Sequence, residues 1–140
     1  MIDDTRVLVR IRKLLLALLG AGSASTGLEL LLLGHFEEST QIAPLVLLAG
    51  GIAIAAWHLV SPRASVTALR GLMLLFVASG GVGIALHYRG NVEFELEMYP
   101  SMAGMELVGK TLTGATPVFA PGAMALLGAI GLVASYGIRK

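Results

Sequence analysis

Two histidines and a group of carboxylates are the residues of this chain best suited to chemistry. His35, Glu37 and Glu38 close one apolar run, and His87 closes another. Imidazole with carboxylate is a first-row metal ligand set. His35 and Glu38 stand three apart, so on one helix they could hold an ion together, with His87 completing the site from an adjacent helix. Met98, Met102 and Met105 would suit a softer ion such as Cu(I). The ligand expectation is therefore a divalent metal or copper at His35, Glu38 and His87. A haem held axially by the two histidines would need a deeper, more apolar site. The plainer reading is that polar side chains gather where helices meet water, and that methionine on an apolar face packs more often than it ligates.

A different carboxylate, Glu29, lies inside an apolar run. An acid within a bilayer is costly unless it is protonated, paired or hydrated. Gly22, Ser25, Thr26 and Glu29 recur at spacings of three and four, so they share one helical face. Small residues let another helix approach closely, and hydroxyls can bond across the contact. The expectation is a polar helix–helix seam in which Ser25, Thr26 and Glu29 face a neighbouring helix and not lipid. A proton-relay or counter-ion role for Glu29 is the alternative. His35 lies about 9 Å further along the axis and roughly 120° round it, so the two do not share a face.

The elements that carry these residues follow from composition. The chain has 140 residues, 56% apolar and 14% charged. A soluble domain would carry about 25% charged residues. That shortage, with runs of about 20 apolar residues, defines a polytopic membrane protein. The apolar runs predict membrane helices over 14–34, 42–60, 69–88 and 117–136 in a single integral membrane domain spanning 1–140. The fold class is an all-α membrane protein, a four-transmembrane-helix bundle. Arg6, Arg10, Arg12 and Lys13 before the first run resemble the start of a signal peptide. The apolar pattern resumes at Leu28, however, and the expectation is a retained helix. Gly80, Gly83 and His87 share a face of the third helix, and Gly128, Gly131 and Ser135 offer close packing on the fourth.

Residues 89–116 form the one long connection. From Asn91 to Tyr99, Val92, Phe94, Leu96 and Met98 alternate with Glu93, Glu95, Glu97 and Tyr99. A period of two predicts a strand with one apolar and one acidic face. Pro100 and Ser101 then open a short amphipathic helix, expected on the membrane surface. Strand and helix together make a small extracytoplasmic cap. A lone strand leaves backbone groups unpaired. Val92, Phe94, Leu96 and Met98 are therefore expected to meet another chain, either a membrane subunit or a second copy.

Eight of the ten basic residues fall at the ends and in the connection between the second and third helices: Arg6, Arg10, Arg12, Lys13, Arg63, Arg70, Arg139 and Lys140. The opposite side holds Arg89 and Lys110 against Glu37, Glu38, Glu93, Glu95, Glu97 and Glu106. The positive-inside rule puts both termini in the cytoplasm. Anionic lipid accounts for the basic residues, so nucleic acid is not an expected partner. The overall plan resembles small polytopic proteins of the bacterial inner membrane, a likeness that implies no activity.

The chain has no cysteine, which excludes disulfides and thiol chemistry. No serine sits in a Gly-x-Ser-x-Gly elbow, and no glycine-rich phosphate loop follows a strand. The functional expectation is a non-catalytic subunit of a membrane assembly or homo-oligomer. The alternative is a cation-binding or transport protein with an acidic, histidine-containing outer site.

Overall fold

The computed structural model describes residues 4–61 and 64–138. Asp3, Pro62, Arg63, Arg139 and Lys140, which enter the sequence reading above, lie outside the described residues. Within them the chain is all-helical: α1 Asp4–Leu32, α2 Ser39–Val60, α3 Val66–Met98, α4 Gly104–Leu112 and α5 Gly122–Ala134. Among the described residues, α1, α2 and α3 are long and apolar enough to cross a membrane, and α5 is a shorter apolar helix. Large apolar side chains point outward: Leu14 is 69% exposed, Val46 64% and Leu126 63%. A helix in water turns its polar face outward; an apolar outer face fits a hydrocarbon surrounding.

Local chemistry sets the element ends. Gly34 takes a positive φ of 68° after α1. The His35 amide donates to Leu30 O at 2.8 Å, and the Gly34 amide to Leu31 O at 3.1 Å. This glycine-dependent cap satisfies carbonyls that the helix end leaves open. Gln41 Oε1 accepts from the amides of Glu37 at 2.9 Å and Glu38 at 3.2 Å, which fixes the start of α2. Glu37 and Glu38 thus sit at a helix N-terminus, where negative charge is favoured. Ser65 Oγ accepts from the Ala68 amide at 3.2 Å and caps α3.

α1 packs on α2 and α5, and α3 packs on the same two helices. Leu16, Leu19, Leu48, Leu69, Met73, Phe76, Met124 and Leu127 fill the space between them. Glycines set the closeness of the α3–α5 contact. A Cβ at Gly80 would lie 2.6 Å from the backbone N of Ala125, and one at Gly83 would lie 2.5 Å from Pro121 Cβ. A Cβ at Gly128 would meet Met73 O at 2.7 Å. The face formed by Gly80 and Gly83, a close-packing face by its spacing, is thus the seam for α5.

Three expectations need correction. The strand expected over Val92 to Met98 is the last part of α3. Its extended edge, and hence pairing through that edge, does not exist. The basic segment before the first apolar run is helical and continuous with α1. The inward face of α1 is also rotated from the expected stripe. It is Leu16, Leu19 and Ser23 that are buried, with Gly27 against Leu48, while Ser25 and Glu29 are exposed. Thr26 and Gly22 lie at the margin.

Gly80→Ala is expected to destabilise the protein in detergent by about 1–3 kcal/mol, since the new methyl meets backbone. Gly81, next in sequence, has nothing within 4 Å of a built Cβ. Gly81→Ala is expected to change stability by less than about 0.5 kcal/mol. Unfolding midpoints of the two variants against the parent check the contrast.

Candidate functional site

Polar side chains within the helical packing are few, and most of them hold α5. At one end of α5, Arg70 of α3 donates from Nε to Ser135 Oγ at 3.1 Å and from Nη2 to Ser135 O at 2.8 Å and Ile138 O at 3.3 Å. Arg12 of α1 donates from Nε to Ala134 O at 2.9 Å and from Nη2 to Tyr136 O at 3.1 Å. The last carbonyls of a helix lack partners and carry partial negative charge. Two guanidinium groups supply both the donors and the charge. They also tie α1 and α3 to the same helix end. These two arginines read in the sequence as part of a basic membrane surface. Their capping role depends on where α5 stops, which hydropathy alone does not give.

The segment that leads into α5 is held from α3 as well. His87 Nδ1 lies 3.0 Å from Pro117 O. One turn further on, Asn91 is 2% exposed. Its Nδ2 donates to Thr111 O at 2.9 Å and Thr116 O at 2.7 Å, and its Oδ1 accepts from the Thr116 amide at 3.1 Å. One amide therefore satisfies three backbone groups of the returning chain. A Cβ at Gly114 would lie 2.9 Å from Asn91 Cγ, so the glycine lets the loop close over it. Asn91 was missed in the sequence, where it reads as the first residue of the strand. A lone amide beside Gly114 and the threonines of the return was the available signal.

Around Asn91, the end of α3 and α4 pack as a helical hairpin. Val92 and Leu96 turn partly inward, whereas Phe94 is 49% and Met98 59% exposed. Tyr99 and Met105, at the tip, are 56% and 82% exposed. Arg89 Nε donates to Glu93 Oε1 at 2.7 Å along the exposed stem.

The structure does not bring the proposed metal ligands together. Among the described residues no group of three or more histidine, aspartate or glutamate side chains could hold an ion. α1, which leads into His35, has no substantial interface with α3, which carries His87. His87 is engaged with Pro117 O, and Glu38 stands at the N-terminus of α2. Glu29 is exposed on α1, and among the described residues its carboxylate has no hydrogen-bond or ion-pair partner. The Ser23 hydroxyl is fully buried without a hydrogen-bond partner, over the backbone of Gly51.

Comparison with protein-family models, curated proteins and solved structures finds no match. The class of protein therefore rests on the chain itself: among the described residues it is all-helical, with three helices long and apolar enough to span a membrane.

Asn91→Ala removes both donors and the acceptor and strands three backbone groups. It is expected to destabilise the α3–α4 hairpin by about 1–3 kcal/mol for each group left unpaired, and so to speed protease cleavage within 99–116 at least tenfold. Arg70→Leu is expected to cost about 1.5–3 kcal/mol of overall stability, with cleavage of the hairpin little changed. Limited proteolysis and thermal unfolding of both variants separate the two ends.

Proposed function

We propose that this protein is a non-catalytic component of a membrane assembly. In this reading α1, α2, α3 and the segment built on α5 form a four-helix membrane bundle. Both termini face the cytoplasm and the outer hairpin stands on the opposite side. The register of α5 supports its crossing. It is held at His87 on one side and at Arg70 on the other, and that stretch of α3 is about 25 Å long at 1.5 Å per residue. A hydrocarbon core is about 30 Å thick.

The observation that carries the functional reading is the outer end of α3. A 33-residue helix is about 50 Å long and cannot fit within the core. The charged stretch from Arg89 to Glu97 identifies the end that leaves it. Met98 then lies about 15 Å beyond Tyr88, past the headgroups. Phe94, Met98, Tyr99 and Met105 are exposed there, in water and not in lipid. Large apolar side chains grouped in water mark a contact with another protein. The stem beneath is fixed by Asn91, which suits a rigid docking element better than a mobile loop. The contact is with another membrane subunit or a second copy, through Phe94 and Met98, and no longer through a strand edge.

Native mass spectrometry of the protein released in mild detergent tests this reading, with elemental analysis of the same sample. The expected result is a defined complex, with a partner subunit or a second copy, that the exposed-site double variant Phe94→Ser, Met98→Ser loses while its fold is retained. A parent protein that runs as a single chain without partner contradicts the proposal. So does a stoichiometric metal lost on His35→Ala, His87→Ala, which would favour the cation reading.

A further inference from the structure

We infer that the outer half of α1 is a lateral docking face for a membrane-spanning helix of another protein, one that carries a lysine or arginine at the depth of Glu29. The inference rests on the assembly reading above and names one partner by its chemistry. Three observations carry it. Glu29 is exposed on α1, one turn before the helix ends, and among the described residues its carboxylate has no partner. Exposed apolar surface lies on both sides of it: Leu28 before it is 58% exposed, and Leu32 and Leu33 after it are 79% and 72% exposed. The carboxylate therefore lies within the apolar band and not at its rim. Finally, Ala21 and Ser25 are also exposed and precede Glu29 by eight and four residues along one ridge. Small side chains there let a second backbone come close, and the Ser25 hydroxyl adds a hydrogen-bonding group beside the carboxylate.

Charge decides the occupant. A carboxylate facing hydrocarbon is strongly disfavoured unless it is protonated, hydrated or paired, and pairing is what a partner helix supplies. Among the described residues no lysine or arginine bonds to it, and Arg6, Arg10 and Lys13 lie at least 16 residues before it on the same helix, about 24 Å or more along the axis. Arg12 and Arg70 are committed to the far end of α5, and Arg89 is bonded to Glu93. Lys110 lies in α4, in the outer hairpin. A second copy meeting the same face would bring a second carboxylate to Glu29, at the same depth. A cation on a different helix answers the charge, and the small residues below it supply the packing.

The test uses the full chain in lipid vesicles, labelled at an introduced cysteine, Thr40→Cys. Three synthetic membrane-spanning Leu/Ala peptides carry Lys, Leu or Glu one turn inside the outer boundary, and energy transfer reads association. The expected result is that the Lys peptide binds about tenfold more tightly than the Leu peptide, the size of one polar contact between membrane helices. Glu29→Gln should reduce that preference to less than about twofold, and Glu29→Lys should transfer it to the Glu peptide. Because Glu29 is exposed, these variants are expected to keep the parent's unfolding midpoint, which is measured alongside. Equal binding of all three peptides by the parent, or a Lys preference that survives Glu29→Gln, overturns the inference. Self-association of the chain that depends on Glu29, with no Lys preference, also overturns it and assigns the face to a second copy. A native complex that Glu29→Gln leaves intact removes this inference but not the assembly reading. Absence of any complex removes the reading itself.

Discussion

The structure depends on how the end of α5 is satisfied. A 13-residue helix is about 20 Å long, and its last carbonyls have no partners within it. Left open in an apolar surrounding, those carbonyls would cost several kcal/mol. Arg12 and Arg70 reach them from two different helices. Because the donors come from α1 and α3, satisfying one helix end also fixes the spacing of the three helices that meet there. The core follows from that spacing. Met124 and Leu127 are buried only with α5 in place, against Leu19, Met73 and Phe76. Gly128 and Gly131 allow α5 to approach α3 that closely.

The opposite end obeys the same constraint with different chemistry. There the chain is not helical between Thr113 and Pro121, so backbone groups need partners from side chains. Asn91 meets three of them, and His87 lies against the carbonyl of Pro117. This binding of the returning segment makes the last turns of α3 a firm support for α4 and the apolar tip. The molecule thus presents two uncovered features: exposed apolar side chains on the α3–α4 hairpin, and an exposed carboxylate on α1. Neither is consumed by the packing of the chain itself. Both fit a protein that acts by being held next to others.

Much of the fold was legible in the sequence. The apolar runs located α1, α2 and α3, and the spacing of Gly80, Gly83 and His87 marked a close-packing face of α3, though not that α5 is the helix it receives. The misread strand has a simple physical origin. In a period-two string, alternate apolar residues are also four apart in pairs. Val92 and Leu96 make one such pair and Phe94 and Met98 the other, on opposite sides of a helix. A helix covered on one side only by α4 can carry that pattern as well as a strand can. The face of α1 that packs within the chain was not identified for a related reason. Small residues occur all round that helix from Gly20 to Gly27, so composition could not choose between the Ser23 side and the Ser25 side. The metal ligands looked plausible because helix ends at one membrane level share polar residues. Which ends are neighbours is a matter of packing order, and α1 and α3 are not neighbours.

The most direct measurement of the account is the sidedness of α5. The natural chain has no cysteine, so each introduced one reports alone. Met105 and Tyr136 are 82% and 84% exposed and bracket α5 in sequence. Met105→Cys and Tyr136→Cys are each treated with a membrane-impermeant maleimide in intact cells expressing the chain. The account predicts labelling of the first variant from outside, and of the second only after the membrane is permeabilised. Labelling of both from the same side would mean that α5 enters and leaves the membrane on one face, and would contradict the bundle on which the functional reading stands.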